Sequence, residues 1–180
     1  MGLSLHDSDP LAADSHRKRA WTLLENLHLR GLYGGETLGG LARLAYANGD
    51  RGAALQLASE SLEYSNLSPK TRVNCLFYVG QIGIRAGDFG PAGKSLEQLV
   101  ALRWLSEDWN LLAAARQQER NLTEALRDMV HAVSIAPFRP DLRRNLAQLY
   151  QQQGDLRAAE RELAIARRLA GEAAAKQSGF

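Results

Sequence analysis

The sequence has one cysteine, five prolines and few aromatic residues, which make up 7% of its 180 residues. The lone Cys75 excludes an intrachain disulfide framework and any zinc site built from several cysteines. The net charge is only +2, so no strong electrostatic attraction to nucleic acid is expected. The apolar content of 45% is that of ordinary folded proteins. It excludes a wholly disordered chain.

Membrane and cofactor signatures are also lacking. No window approaches the roughly 18 apolar residues needed to cross a bilayer, and the first residues contain no apolar stretch of signal-peptide length. We therefore expect a cytoplasmic protein without membrane insertion. The four histidines form no pair with glutamate at metal-ligand spacing, and the glycine-rich residues 31–35 lack the ending of a phosphate loop. The sequence predicts no catalytic residue, no metal and no cofactor.

A short motif recurs along the chain. Gly-Asp pairs stand at 49–50, 87–88 and 154–155, each between two stretches with helical apolar periodicity. Glycine ends one helix in the left-handed conformation, and aspartate caps the next. An alanine follows each aspartate by four residues, and a further unit keeps this frame without the glycine. The four alanines are Ala54, Ala92, Ala125 and Ala159, and their spacings of 38, 33 and 34 residues indicate helix-turn-helix units.

The spacing divides the chain into units of two helices each. Small residues at fixed places let two helices approach closely, and larger residues fill the seam between them. An earlier apolar stripe at Ala20, Leu24 and Leu27 predicts one more helix, which is either the second helix of a truncated unit or a simple cap. The predicted divisions are an N-terminal tail and helix at 1–34, four repeat units at 35–72, 73–105, 106–139 and 140–173, and a C-terminal tail at 174–180.

This order of small and large residues resembles the tetratricopeptide repeat family. The resemblance covers residues 35 to about 170, and the third unit departs from the pattern at Arg116, where the fourth has Tyr150. The resemblance implies an all-α fold, a right-handed solenoid of antiparallel helix pairs with about four repeats plus an N-terminal helix. The signature positions matched by the third unit are Trp109, Leu112, Ala113, Ala125, Ala132 and Pro137.

The resemblance implies a non-catalytic scaffold or adaptor that binds a peptide or a partner helix. In such an array the first helices of all units line a concave groove. Tyrosine, arginine and asparagine on these helices suit an interface, because they combine area with hydrogen bonding. The candidate groove residues lie on the first helices, off the apolar seam; they are Arg43, Tyr46, Phe77, Tyr78, Gln81, Arg85, Asn110, Gln117, Arg144, Asn145 and Gln148.

Two other functions depend on particular residues. Some members of the family clamp a peptide carboxylate with lysine and asparagine, but Gly39 and Arg43 stand in those places here, so a clamp is not predicted. The alternative function is structural. The array has no evident polar cap after Ala170, which predicts docking on a second copy, as a homo-oligomer, or on further repeats of a longer chain.

His131 is expected to be a packing or surface residue, and Cys75 a structural thiol.

Overall fold

The structure, a computed structural model, describes residues 10–177 and the side chains of residues 14–172. The described residues contain nine α-helices and no strand, which confirms the predicted all-α fold. Residues 174–177 of the predicted C-terminal tail belong to the last helix, and the tail residues 1–9 and 178–180 lie outside the described residues. The helices are α1 (Pro10–Leu29), α2 (Gly34–Ala47), α3 (Arg51–Leu62), α4 (Pro69–Ala86), α5 (Phe89–Leu102), α6 (Ser106–Gln118), α7 (Leu122–Ile135), α8 (Pro140–Gln153) and α9 (Leu156–Gln177).

Left-handed residues end the first helix of each pair. Gly49, Gly87 and Gly154 have φ of 82°, 84° and 90°, as the Gly-Asp motif predicts. The third pair, which lacks the glycine, makes the same turn with Arg120 at φ 62°. Because L-residues with a Cβ disfavour this conformation, Arg120 stores strain that the glycines avoid.

The residue after each left-handed turn begins the second helix. The Asp50 and Asp155 carboxylates accept hydrogen bonds from backbone N–H groups in the first turn, at 3.0 and 2.9 Å. Asn121 does the same at 3.4 Å. Asp88 makes no such side-chain hydrogen bond. The predicted aspartate cap is therefore present in two of the three Gly-Asp turns, and asparagine provides it in the remaining pair.

The recurring alanines occupy equivalent places. Ala54, Ala92, Ala125 and Ala159 are each the fourth residue of their helix and are at most 1% exposed. At one of these places, a Cβ built on Gly83 of α4 would lie 2.9 Å from the Ala92 Cβ. Only small side chains fit where two helices of a pair come this close. The alanines therefore recur in the sequence with the same period as the close helix contacts.

The chain divides into two compact units, Met1–Tyr78 and Val79–Phe180, and the division falls inside α4. In the first unit, α1 packs on α2 and α2 packs on α3. Gly40 of α2 lies beneath Leu24 of α1, where an added Cβ would be 2.9 Å from the leucine Cδ1. The predicted N-terminal helix is thus present and is held by its apolar stripe.

Helix α2 also packs against the beginning of α4. An added Cβ on Gly39 would overlap Thr71 and would lie 3.3 Å from the Cys75 sulfur. The Ser61 hydroxyl donates to the Gly35 carbonyl oxygen at 2.8 Å. Cys75 is fully buried, and burial raises the pKa of its thiol. This setting is that of a structural thiol, because a reactive cysteine needs an exposed thiolate.

In the second unit, the end of α4 packs on α5, where a Cβ on Gly80 would lie 2.6 Å from the Leu96 Cγ. Helices α5 to α9 follow, each in contact with the next. An apolar cluster joins α6, α7 and α8, with Trp109 and Tyr150 packed against its border. Its buried members are Ala113, Ala125, Leu126, Met129, Ala132, Val133, Leu142, Leu146 and Leu149.

Candidate functional site

The predicted aromatic residues of the first unit form one cluster. The rings of Tyr46 and Tyr78 are stacked, with centroids 4.5 Å apart, and Phe77 meets both edge-on at 6.3 and 6.0 Å. Tyr78 is only 7% exposed, and burial raises the pKa of its hydroxyl. Most of the Tyr78 ring is therefore packed rather than open to a partner. Tyr46 and Phe77 are half-buried, and Arg43 is exposed.

In the second unit, the first helices α6 and α8 lie side by side. The Asn145 amide donates to the Asn110 carbonyl oxygen at 2.8 Å. About two helical turns further on, the Gln117 amide donates to the Gln152 oxygen at 2.8 Å. Both pairs are separated by 35 residues, so the two helices run in the same direction and in constant register.

Three of these four amides, those of Asn110, Gln117 and Asn145, border a cavity of about 220 Å³. Its polar part consists of four residues that the sequence predicted for the groove, and its apolar part consists of Met129, Leu149 and Ala114. An amide carries both a donor and an acceptor and no net charge, so this lining is suited to an uncharged partner with alternating hydrogen-bonding groups. The four predicted residues are Asn110, Gln117, Asn145 and Gln148.

The other predicted groove residues of this unit do not line the cavity. Gln81 is half-buried on α4, while Arg85, at the end of the same helix, is exposed. Arg144 is exposed on α8, next to Asn145 in sequence, but it lies outside the cavity lining. The structure therefore brings together the amides of two adjacent helices and leaves the arginines apart from them.

Sequence analysis missed a second cavity, of about 290 Å³, between α5, α6 and α7. At its centre Arg116 binds three carboxylates: Asp128 at 2.7 Å, Glu97 at 2.9 Å and Glu124 at 3.2 Å. Burial raises the pKa of Asp128 to about 6, although Arg116 opposes the shift. Arg116 is the residue that departs from the repeat pattern. This departure was the one feature of the sequence that pointed to this cavity.

Trp109 borders the same cavity. Its ring lies 4.7 Å from the His131 ring, so the exposed histidine serves as a packing partner, as predicted. The indole Nε1–H is buried and has no hydrogen-bond partner among the described residues. A buried, unpaired donor costs free energy, so packing must account for the contribution of Trp109 to stability.

The described residues contain no group of three histidine, cysteine, aspartate or glutamate side chains that is placed to hold a metal ion. None of the helices in residues 10–177 is long and apolar enough to cross a bilayer.

Comparison with solved structures identifies the type of fold. The chain has a tetratricopeptide-repeat-like fold, which confirms the resemblance seen in the sequence. Solved structures similar to this chain include several of MamA, a tetratricopeptide-repeat-like protein. One MamA crystal structure superposes with a TM-score of 0.77 at 14% identity, over 96% of this chain and 99% of that chain.

Two further MamA structures agree. Residues 41 to the end of MamA from Desulfovibrio magneticus RS-1 give a TM-score of 0.73 at 16% identity, covering 87% of this chain and 86% of that one. A MamA AMB-1 structure gives 0.74 at 18% identity, covering 88% and 91%. No protein-family model and no curated protein matches the sequence. At such identities the comparisons show the fold and leave the function to be argued from the surface.

Proposed function

We propose that the chain is a non-catalytic scaffold that binds an extended segment of another protein on its first-helix surfaces. The proposal rests on the amide-lined cavity between α6 and α8. Four of its lining residues are ones that the sequence predicted to bind a partner. Two adjacent first helices supply them, which is the expected arrangement for reading successive positions of a bound segment.

The lining favours recognition of the peptide main chain. Backbone N–H and C=O groups need partners when water is removed, and the Asn110, Gln117, Asn145 and Gln148 amides offer both donors and acceptors. Met129 and Leu149 would receive a small apolar side chain. The absence of a charged residue from this lining favours a neutral segment over a peptide carboxylate.

The aromatic cluster of the first unit supports binding there as well. Tyr46 and Phe77 keep part of their rings accessible, while Tyr78 holds Tyr46 in place by stacking. Rigid aromatic side chains bind with little loss of conformational entropy, so they are common anchors of interfaces. In this proposal Tyr78 positions the cluster and does not itself contact the partner.

Self-association stays as the alternative function. The exposed residues of α9 include Arg157, Glu160, Arg161 and Arg168, so a contact through this helix would be made of ion pairs rather than an apolar seam. Such a contact would weaken steeply with salt. A cytoplasmic location likewise remains an expectation.

A displayed library of 15-residue peptides would test the proposed function. We expect selected peptides to lose at least tenfold in affinity for the Asn110→Ala/Asn145→Ala variant. Removing both amides deletes the hydrogen bond without leaving an unpaired partner, so the fold is expected to survive. The matched control is Gln118→Ala/Gln153→Ala, which changes two exposed amides at the ends of the same two helices. If every selected peptide bound the cavity variant as tightly as the wild type, the proposal would be wrong.

A further inference from the structure

A second surface, separate from the first-helix cavity, lies on the connections between pairs of helices. The connection from α5 to α6 carries Trp104, which is 74% exposed, and the connection from α7 to α8 carries Phe138, which is 79% exposed. Leu102 and Leu105, on either side of Trp104, are also exposed. We call these four residues the aromatic edge. Large exposed apolar groups that lie together mark binding sites more often than isolated ones do.

The two connections are neighbours in space. Glu107, in the first turn of α6, forms an ion pair with Arg139, which immediately precedes α8. Extended beyond the beginnings of α6 and α8, their offset of 35 residues pairs Trp104 with Arg139 and Phe138 with residue 103. The ion pair and this offset together make the two connections neighbours within the second unit.

Both connections are held rigidly by arginines that turn inward. Arg103 binds the fully buried Asp108 through two hydrogen bonds, of 2.6 and 2.9 Å. Arg143 donates twice to the Pro137 carbonyl oxygen, at 3.2 Å. The aromatic side chains are thus presented on backbone that is already ordered, so a partner would not bear the entropy cost of ordering it.

The charged side chains beside the aromatic edge are paired with one another within the molecule. The three arginines are all paired with carboxylates, so a phosphate-rich surface finds no unpaired guanidinium among them. Glu107 and Asp141 share the single Arg139, and this surplus of one partly exposed carboxylate favours a partner with basic groups around its apolar part. The arginines are Arg103, Arg139 and Arg143, and the carboxylates are Glu107, Asp108, Asp141 and Glu162.

The area of the aromatic edge argues against a stable homodimer. A buried Trp or Phe contributes roughly 150–250 Å², so the four side chains together offer on the order of 500 Å². A stable complex buries about 800 Å² per partner. A partner must therefore extend over the surrounding carboxylates as well, and the basic groups inferred above are placed to do so.

We infer that the aromatic edge is a second protein-binding surface, which receives an amphipathic helix whose apolar stripe is flanked by lysine or arginine. Residues i and i+7 of a helix are about 10.5 Å apart, which is close to the roughly 8–10 Å separation that is typical of neighbouring helices. Trp104 and Phe138 would contact positions of the stripe that are two turns apart, and the partly exposed carboxylates of Glu107 and Asp141 would face its basic border.

A fluorescein-labelled 18-residue helical peptide of leucine and lysine, with leucine at i, i+3 and i+7, is the probe. We expect fluorescence anisotropy to show at least tenfold weaker binding to Trp104→Ala/Phe138→Ala than to the wild type. A twin peptide with glutamate in place of lysine should bind the wild type at least fivefold more weakly. Equal binding of the probe to the wild type and the double variant would overturn the inference.

Two control variants keep this result separate from other effects. Leu156→Ala removes an exposed leucine at the beginning of α9, away from the aromatic edge, and should leave peptide binding unchanged. Asn110→Ala/Asn145→Ala should also leave it unchanged, because those amides serve the first-helix cavity. A loss with this second control would place the peptide in that cavity and refute the aromatic edge. Circular dichroism should show the same helicity and Tm for the double variant as for the wild type.

Two other measurements would detect a different occupant of the aromatic edge. Sedimentation velocity of the wild type would reveal a dimer that disappears in Trp104→Ala/Phe138→Ala if the occupant were a second copy. Co-sedimentation with vesicles of phosphatidylcholine and phosphatidylserine at 7:3 would depend on Trp104 and Phe138 if the occupant were a lipid surface. We expect neither, and either result would contradict the inference.

Discussion

The Asp128 carboxylate lies 2.7 Å from the Arg116 guanidinium, yet its pKa is raised to about 6. Burial causes this shift, because the charged form of Asp128 has lost its hydration. Arg116 opposes the shift, and the nearby Glu124 carboxylate adds to it. The ion pair that joins α6 to α7 therefore depends on a carboxyl group that titrates in mildly acidic solution.

The contribution of Asp128 to the free energy of unfolding should decrease as the pH rises. Its folded pKa of about 6 exceeds the ordinary value of 3.8, so the proton binds more tightly to the folded chain. The contribution is complete below the ordinary value and is lost as the pH rises through about 6. A shift of about two units is equivalent to about 3 kcal/mol. Urea unfolding between pH 4 and pH 7 should show this slope, and Asp128→Asn should lack it.

Asp88→Asn is the matched control for this experiment. Asp88 is exposed and makes no side-chain cap hydrogen bond, so its variant should keep the slope of the wild type. A wild-type slope in Asp128→Asn would show that the carboxyl group of Asp128 is not the titrating group.

The aspartate caps provide a second prediction. Asp155 accepts a hydrogen bond from the Ala158 N–H at 2.9 Å, whereas Asp88 at the equivalent turn accepts none. Asp155→Ala should therefore lower the free energy of unfolding by about 1 kcal/mol. Asp88→Ala should change it by less than about 0.5 kcal/mol. Chemical denaturation of the two variants checks this difference, and equal losses would show that the caps act through charge alone.

Replacing Arg120 by glycine should stabilise the protein. It has φ of 62° at the place where the other three turns have glycine, and the left-handed conformation costs a residue with a Cβ roughly 1–2 kcal/mol. Glycine is more flexible than arginine in the unfolded chain, and the entropy cost of ordering it offsets part of this gain. Arg120→Gly should therefore raise the free energy of unfolding by about 0.5–1 kcal/mol. Thermal unfolding measures the effect.

Gln118→Gly is the control for the turn, since Gln118 ends α6 in ordinary helical conformation. Glycine there should destabilise the protein by about 0.5–1 kcal/mol. If both variants were destabilised, strain at Arg120 would be absent.

Two helical glycines should respond to alanine in opposite directions. An added Cβ at Gly39 would overlap Thr71, whereas an added Cβ at Gly93 meets nothing within 4 Å. Gly39→Ala should lower the free energy of unfolding by about 1–3 kcal/mol through overpacking. Gly93→Ala should raise it by about 0.5–1 kcal/mol, because alanine favours the helix. Changes of the same sign in both variants would refute the close approach of α2 to α4.

The candidate site was predictable in part. Asn110, Gln117, Asn145 and Gln148 line one cavity because helical periodicity places them on the same face of two first helices. The burial of Tyr78 was not predictable, since it follows from stacking on Tyr46, 32 residues earlier. The aromatic edge was not predictable either, because helical periodicity does not indicate which side chains of a connection are exposed.

The sequence by itself determined the helices, the turns between them and the equivalent alanines. These features depend on contacts within a turn or between two consecutive helices, where a glycine, an aspartate or a small residue acts locally. Only the tertiary structure decided that Arg116 gathers three carboxylates and that Glu107 meets Arg139. Such contacts depend on how neighbouring helices cross and on which rotamers their long side chains adopt. A small change in either separates the charged groups without disturbing the apolar pattern that formed the helices.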